Sequence, residues 1–357
     1  MKLNDYVTLG RSGLKVSPLC LGTMTFGEEW GWGSSEDTAR QIFNAYVEKG
    51  GNFIDTADGY TNGSSEKLVG KFIKEKNLRD SAVLATKFTF NAQPGNPNAG
   101  GNGRKNIYRA LEGSLKRLET DYVDLYWLHT WDKVTPVEEV LLTLNDLVKE
   151  GKIRYFGLSD VPAWYLAKMQ TIAEAHSLHK LSALQLEYSL VERTIEREHI
   201  PAAQEFGLAI TPWSPLASGL LSGKYKRDFN GEAQGRLSVI KDAGHPAFNK
   251  LFTERNWKIV DAVNEAAKET GKTAAQVALN WCATRPGITS TIIGATKLNQ
   301  LSDNFAALEF TIPEKTLAKL EEASALDSNA HPYLFFTPAM QDMVHGGVSV
   351  RAWSSSN

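Results

Sequence analysis

Eight short, continuously apolar runs alternate with segments of helical period along most of this chain, and that rhythm leaves few folds open. The runs lie at 18–22, 53–55, 82–86, 122–128, 153–158, 183–186, 208–211 and 290–293. Strands lack an apolar/polar alternation when both of their faces are covered. Helical segments follow at about 34–49, 64–76, 104–118, 137–150, 162–177 and 199–206. Past an irregular stretch at 214–250, three more fall at about 252–270, 273–284 and 298–307. Strict strand–helix alternation specifies a parallel sheet, and eight units favour closure into a barrel over an open sheet. No G-x-G-x-x-G follows a strand and no Walker A pattern occurs, so an open dinucleotide-binding sheet would lack its phosphate loop. The expectation is an α/β fold, a single (β/α)8 TIM barrel over 1–325 with long loops on the face at the strands' C-terminal ends. An N-terminal β-hairpin within 6–17 leads in, a last helix follows Pro313, and a polar, aromatic tail occupies 326–357.

Chemistry in such a barrel gathers at the C-terminal ends of its strands. Reading those ends gives Asp55 closing the second run, Tyr60 in the turn behind it, Lys87 after the third and His129 after the fourth. Singly, each has an ordinary explanation: a turn cap, a loop aromatic, a solvated lysine, a core histidine. Together they put a carboxylate, a phenol, an amine and an imidazole at one end of the barrel. That set suits reduction of a carbonyl, in which hydride addition leaves an alkoxide needing a proton and a positive surrounding. Tyr60 is the natural acid, but a phenol near pKa ~10 is a weak donor at neutral pH. An ammonium at Lys87 would lower that value, Asp55 would hold the ammonium, and His129 could donate to the carbonyl oxygen.

Two stretches carry a resemblance. Gly51-Asn-Phe-Ile-Asp-Thr-Ala-Asp-Gly-Tyr60 and Lys116-Arg-Leu-Glu-Thr-Asp-Tyr-Val-Asp-Leu-Tyr126 resemble specific motifs of the aldo-keto reductases, and the likeness extends over roughly 6–324. The resemblance implies that Asp55, Tyr60, Lys87 and His129 are the catalytic set, with Tyr60 the proton donor. It implies a nicotinamide cofactor, NADP(H), held without a Rossmann sheet. Gly22, Thr23, Met24 and Asp55 would meet its nicotinamide half. Ser159, Asp160 and Gln185 would read the carboxamide, and Trp213 would stack on the ring. Ser214, Pro215, Leu216, Ser218, Gly219 and Leu220 would follow the pyrophosphate, with Lys224 and Arg236 farther along. Gly294, Thr296, Lys297, Gln300, Asp303 and Asn304 would hold the adenosine end at the helix start after the eighth strand, a usual phosphate site of this barrel. Lys297 and Arg236 offer charge for a 2′-phosphate, which favours NADPH over NADH. Two positions depart from the common pattern: Asp160 stands where most relatives have Asn, and Gln300 where one branch has Arg.

Trp32, Phe88 and Trp131, with Tyr60 and His129, are expected to line the substrate pocket, and Trp30, Tyr333 and Phe335 to approach its mouth. Aromatic walls suit an aldehyde or ketone with an apolar or aryl substituent; sugar-derived and dicarbonyl aldehydes remain open. The competing reading is a cofactor-binding regulatory or redox-sensing subunit, a role the resemblance also implies for some relatives. A phosphosugar isomerase on the same barrel would need no adenosine contacts and would leave Trp213 and Gln300 to Asn304 unexplained.

The net charge of −2 over 357 residues gives no polybasic footprint for nucleic acid or anionic membranes. Cys20 and Cys282 lie in apolar stretches without partners at metal-ligand spacing, so neither a disulfide nor a metal site is expected. The N-terminus lacks a basic-then-apolar leader, and no apolar run approaches the ~20 residues of a membrane helix, so a cytoplasmic location is expected. The sequence does not specify an oligomeric state.

Overall fold

The apolar runs become strands of one closed sheet. The structure, a computed structural model, describes residues 1–227 and 250–350. Its first two strands, β1 (Val7–Thr8) and β2 (Lys15–Val16), form the expected antiparallel hairpin. Eight parallel strands follow: β3 (Leu19–Gly22), β4 (Phe53–Asp55), β5 (Val83–Phe88), β6 (Val123–Leu128), β7 (Ile153–Ser159), β8 (Ala183–Gln185), β9 (Ala209–Ile210) and β10 (Thr291–Ile293). Each of β3 to β8 pairs with the strand that follows it, and β10 returns to pair with β3. Closure between β9 and β10 comes from backbone hydrogen bonds: Thr289 N–H donates to Ile210 O at 2.9 Å and Ile292 N–H to Pro212 O at 2.8 Å. The chain is a (β/α)8 barrel.

Alternate residues serve two cores, which is why the runs read as uniformly apolar. Cys20, Phe53, Ala85, Leu125, Trp127, Ala183 and Ala209 fill the barrel, with Leu9 and Val16 of the hairpin joining them at its N-terminal end. Leu21, Ile54, Leu84, Tyr126, Leu158 and Ile210 face the surrounding helices. The Trp127 indole has room because residue 157 is glycine: a Cβ there would stand 2.3 Å from the indole Cζ3.

Among the described residues, the helices around the barrel are α1 (Glu36–Glu48), α2 (Ser64–Glu75), α3 (Arg104–Leu118), α4 (Val137–Lys149), α5 (Ala163–Ala175), α6 (His199–Phe206), α7 (Glu254–Thr270), α8 (Ala274–Ala283), α9 (Leu298–Ala306) and α10 (Glu314–Ser324). Local signals start several of them. Ser35 accepts from the Thr38 N–H, and Thr273 forms a capping box with Gln276. The second family-like motif turns out to be framework. Arg117 pairs with the buried Glu66 at 2.6 Å, Asp124 takes Arg79 and the Leu84 N–H, and Tyr126 Oη donates to Ile107 O at 3.2 Å.

Two strands extend past the runs read from sequence. β5 runs on through Phe88 and β7 through Ser159, so Lys87 and Ser159 belong to the strands themselves. Within the tail, a 3-10 turn at Tyr333–Phe336 precedes a short helix, α11 (Pro338–Val344). Arg236 lies outside the described residues. Among the described residues no helix is long and apolar enough to cross a membrane.

Candidate active site

Register decides which side chains meet at the barrel's C-terminal mouth. Gly22 lies opposite Asp55, Asp55 opposite Ala85, Lys87 opposite Trp127 and Ser159 opposite Gln185. Lys87 shares the inward face with Ala85, two residues before it, and so reaches the same axis as Asp55. Tyr60 follows on a turn in which Thr61, Asn62 and Gly63 all take positive φ. Thr61 secures that turn, its hydroxyl donating to Phe26 O at 2.7 Å and accepting the Ser65 N–H at 3.0 Å.

At the centre, the fully buried Lys87 Nζ donates to Asp55 Oδ2, to Thr56 O at 2.8 Å and to Tyr60 Oη at 3.1 Å. Three acceptors use up the three ammonium protons. Gln185 Nε2 donates to the other Asp55 oxygen at 3.0 Å, so the carboxylate is held from both sides. Burial by itself pulls the Lys87 pKa down, but Asp55 and Tyr60 outweigh it and hold the ammonium above its ordinary range. The amine therefore stays charged beside the phenol, and a charge there favours the phenolate left when the proton departs.

His129 closes the group. Its ring centroid is 5.8 Å from that of Tyr60, edge to face. Burial, helped by the Lys87 charge, pushes its pKa well below the usual imidazole value, so the ring is neutral. Its Nδ1 is buried without a hydrogen-bond partner. Tyr60 and the neutral His129 can thus face one small polar atom, with the ammonium behind the phenol. No cluster of three or more metal-ligating side chains exists among the described residues.

A second group rings this centre. Asp160, at φ 45°, accepts from Trp213 Nε1 at 3.2 Å through Oδ1, while Ser159 Oγ lies 3.4 Å from Oδ2. Asn and Asp tolerate that left-handed backbone better than most residues. Since the Gln185 amide nitrogen is committed to Asp55, its Oε1 is the atom left to accept. Ser214, Ala217, Ser218 and Gly219 all have positive φ, giving a tightly wound loop after Trp213. Lys224 folds back onto that loop, its Nζ lying 3.1 Å from where a Cβ on Gly219 would be. Thr296 N–H donates to Gln300 Oε1 at 2.9 Å and Gln300 N–H to Asn299 Oδ1 at 3.0 Å, while no side chain of Lys297 caps α9.

Several expected contacts are confined by other bonds. Thr23 is buried and committed within the protein: its hydroxyl and its N–H both donate to Asp55 O, at 3.0 and 2.9 Å, and its carbonyl accepts from the Phe26 N–H at 2.9 Å and from Ser65 Oγ at 2.7 Å. Pro215 and Leu220 are likewise buried. Asp303 takes the Thr273 hydroxyl at 3.0 Å and Gln276 Nε2 at 2.7 Å, tying α9 to α8. Asn304 is buried, and its amide lies 3.4 Å from Gly294 O.

Phe88 is a correction. It is fully buried with its ring 4.9 Å from Tyr126, in the layer between barrel and helices, because Lys87 points inward and its neighbour must point outward. It does not line a pocket. Trp131 has Trp164 and Tyr165 of α5 as ring neighbours. Trp32 stacks obliquely on Trp30, which meets Tyr60 edge to face at 6.3 Å. Tyr333 docks elsewhere, donating to Glu198 at 2.6 Å beneath the Arg197 guanidinium, and Phe335 pairs with His331. The residue that sequence reasoning missed is Phe90, whose ring lies 4.7 Å from His129.

Comparison with known proteins agrees with this picture. A profile described as Aldo/keto reductase family matches residues 18–325. An aryl-alcohol dehydrogenase of Pestalotiopsis microspora is 34% identical over 91% of this chain and 83% of its own length. An uncharacterised oxidoreductase of Bacillus subtilis is 36% identical, covering 89% of this chain and 95% of the relative. A probable voltage-gated potassium channel subunit beta of Oryza sativa subsp. japonica is also 36% identical, over 90% and 96%.

Proposed function

Because the chain belongs to the aldo/keto reductase family and is an oxidoreductase by that membership, we propose that it reduces an aldehyde or ketone to an alcohol with NADPH, Tyr60 giving the proton. The observation that carries this reading is the Lys87 ammonium, fixed by Asp55 and Thr56 O and donating to the Tyr60 oxygen at 3.1 Å.

The residues around this centre fit a nicotinamide dinucleotide. Ser159, Asp160 and Gln185 form a polar set of carboxamide size beside the Trp213 indole. The wound loop from Ser214 offers close backbone approach, and the uncapped start of α9 suits a phosphate. Bound there, the cofactor supplies hydride to the carbonyl carbon. Tyr60 and neutral His129 receive the carbonyl oxygen as hydrogen-bond donors and polarise it. As charge builds on that oxygen, Tyr60 releases its proton to it, and the Lys87 ammonium stabilises the phenolate left behind. Asp55, paired with the ammonium, balances the charge of the buried pair. The aromatic residues near Tyr60 and His129, with the aryl-alcohol dehydrogenase among the relatives, support an aryl carbonyl as the substrate class.

The match to a channel subunit supports a second reading, a cofactor-binding sensor with little turnover. Oxidation of NADPH, and separately of NADH, against aryl, sugar-like and dicarbonyl aldehydes decides between them. The expected result is turnover with NADPH and preference for aryl aldehydes. Tight NADPH binding without turnover on any carbonyl would support the sensor. Lys297→Ala is expected to weaken NADPH several-fold and NADH little; equal loss for both would remove Lys297 from the 2′-phosphate.

A further inference from the structure

An aromatic ring that this mechanism leaves unused stands directly over His129. Phe90 is 53% exposed, yet its ring centroid lies 4.7 Å from the imidazole at an interplanar angle of 75°. Simple continuation of β5 would not put it there. Phe88 is buried among the helices, and a residue two positions farther along a strand would enter the same layer. The chain departs at Thr89, whose φ of 125° is an outlier for a β-branched residue.

Three hydrogen bonds hold that departure. Gly101 N–H donates to Thr89 O at 2.7 Å, Thr89 Oγ1 to Asn102 Oδ1 at 2.6 Å, and His129 N–H to Thr89 Oγ1 at 3.3 Å. The last bond ties the strained residue to the histidine whose ring Phe90 covers. Backbone strain kept in place by such bonds concentrates where a side chain must be aimed. Here the result is a large apolar ring left half in water beside the reacting groups.

Tyr60 has a matching neighbour in Trp30, edge to face at 6.3 Å, with Trp32 a further 5.7 Å away. A carbonyl oxygen shared by Tyr60 and His129 therefore enters between two rings that each carry an aromatic flank. We propose that Phe90 is a specificity-determining residue, aimed by Thr89 to stack on a planar aromatic substituent of the carbonyl substrate. This deepens the reductase reading and rests on it. A flat ring gains oriented contact with Phe90 as well as burial, whereas an alkyl chain gains burial alone.

The test compares kcat/KM for benzaldehyde and heptanal, which have equal carbon number, in wild type and in Phe90→Ala, Phe90→Leu and Phe90→Trp. Phe90→Ala is expected to lower the benzaldehyde-to-heptanal ratio roughly tenfold, mostly through KM. Phe90→Leu should lose benzaldehyde but keep heptanal, and Phe90→Trp should restore the ratio, with NADPH affinity unchanged in all three. Equal losses on both aldehydes, or no change, would overturn the proposal. Binding of benzyl alcohol and heptanol to the NADP+-loaded protein reads the same contrast without chemistry. If wild type reduces neither aldehyde, the reductase reading falls. In that case benzyl alcohol binding lost in Phe90→Ala would still uphold the aromatic contact, and equal binding to both proteins would reject it.

Discussion

Asp58 lies between Asp55 and Tyr60 in sequence, almost fully buried, with its Oδ1 lacking a hydrogen-bond partner. Burial, with the Glu66 charge beside it, pushes its pKa up to about 7 against the pull of Arg117 and Arg109. The folded protein thus keeps a proton that an unfolded chain, with an ordinary carboxyl near ~4, has already released. Stability should therefore fall as pH rises between about 4 and 7. Asp58→Asn should raise the thermal midpoint at pH 8 and change it little at pH 4. The gain is at most about 4 kcal/mol, at roughly 1.4 kcal/mol per pH unit. A loss at both pH values would mean that the carboxylate is needed as an acceptor. Asp160 is the other raised carboxyl. Burial and Glu187 lift it to about 6 against the Trp213 and Ser159 hydrogen bonds and the Lys87 charge. In its acid form it can donate to a carboxamide oxygen as the amide of Asn does. NADH, which has no 2′-phosphate to titrate, should bind more tightly as pH falls through about 6, and Asp160→Asn should flatten that profile. A profile unchanged by Asp160→Asn would place the titrating group elsewhere.

At the scale of elements, the barrel depends on what fills it. Gly157 on β7 makes way for the Trp127 indole from β6, and a Cβ there would also lie 2.6 Å from Ala183 O on β8. Gly157→Ala should cost about 1–3 kcal/mol, read as a lowered urea midpoint. An unchanged midpoint would mean that Trp127 can repack freely. The same elements show where sequence is informative. Asp55, Tyr60, Lys87 and His129 were legible because each is fixed by a strand end close to it in the chain. Phe88 was misplaced because β5 was read as ending at residue 86, and with the strand's true length its inward–outward alternation sends Phe88 outward. Phe90 could not be read at all: its position depends on the Thr89 backbone, on a hydrogen bond from the Gly101 N–H and on one that the Thr89 hydroxyl donates to Asn102, across a long loop. The bonds of Asp303 to Thr273 and Gln276 were not legible either, because they join residues 30 and 27 positions apart in sequence.

For the whole molecule, the β/α rhythm and the two cores it implies were legible from end to end, whereas the tail's ordering was not. Tyr333 reaches back to Glu198 and Arg197 near the start of α6 through side chains alone. We expect the barrel to stand without the tail. A chain ending at Ala325 keeps the Arg193–Ser324 bond at 2.7 Å and the Arg193–Glu321 ion pair at 2.7 Å, which fasten α10. Its thermal midpoint should fall by only a few degrees, consistent with loss of about 1 kcal/mol; failure to fold would make the tail part of the barrel. The central claim is that one buried ammonium, held by Asp55 and aimed at Tyr60, lets a phenol act as the proton donor. Its most direct test is steady-state benzaldehyde reduction by wild type and Tyr60→Phe, with NADPH affinity measured on both. The account predicts that Tyr60→Phe binds NADPH as wild type does and loses about 100-fold or more in kcat. Near-normal turnover by Tyr60→Phe would contradict it.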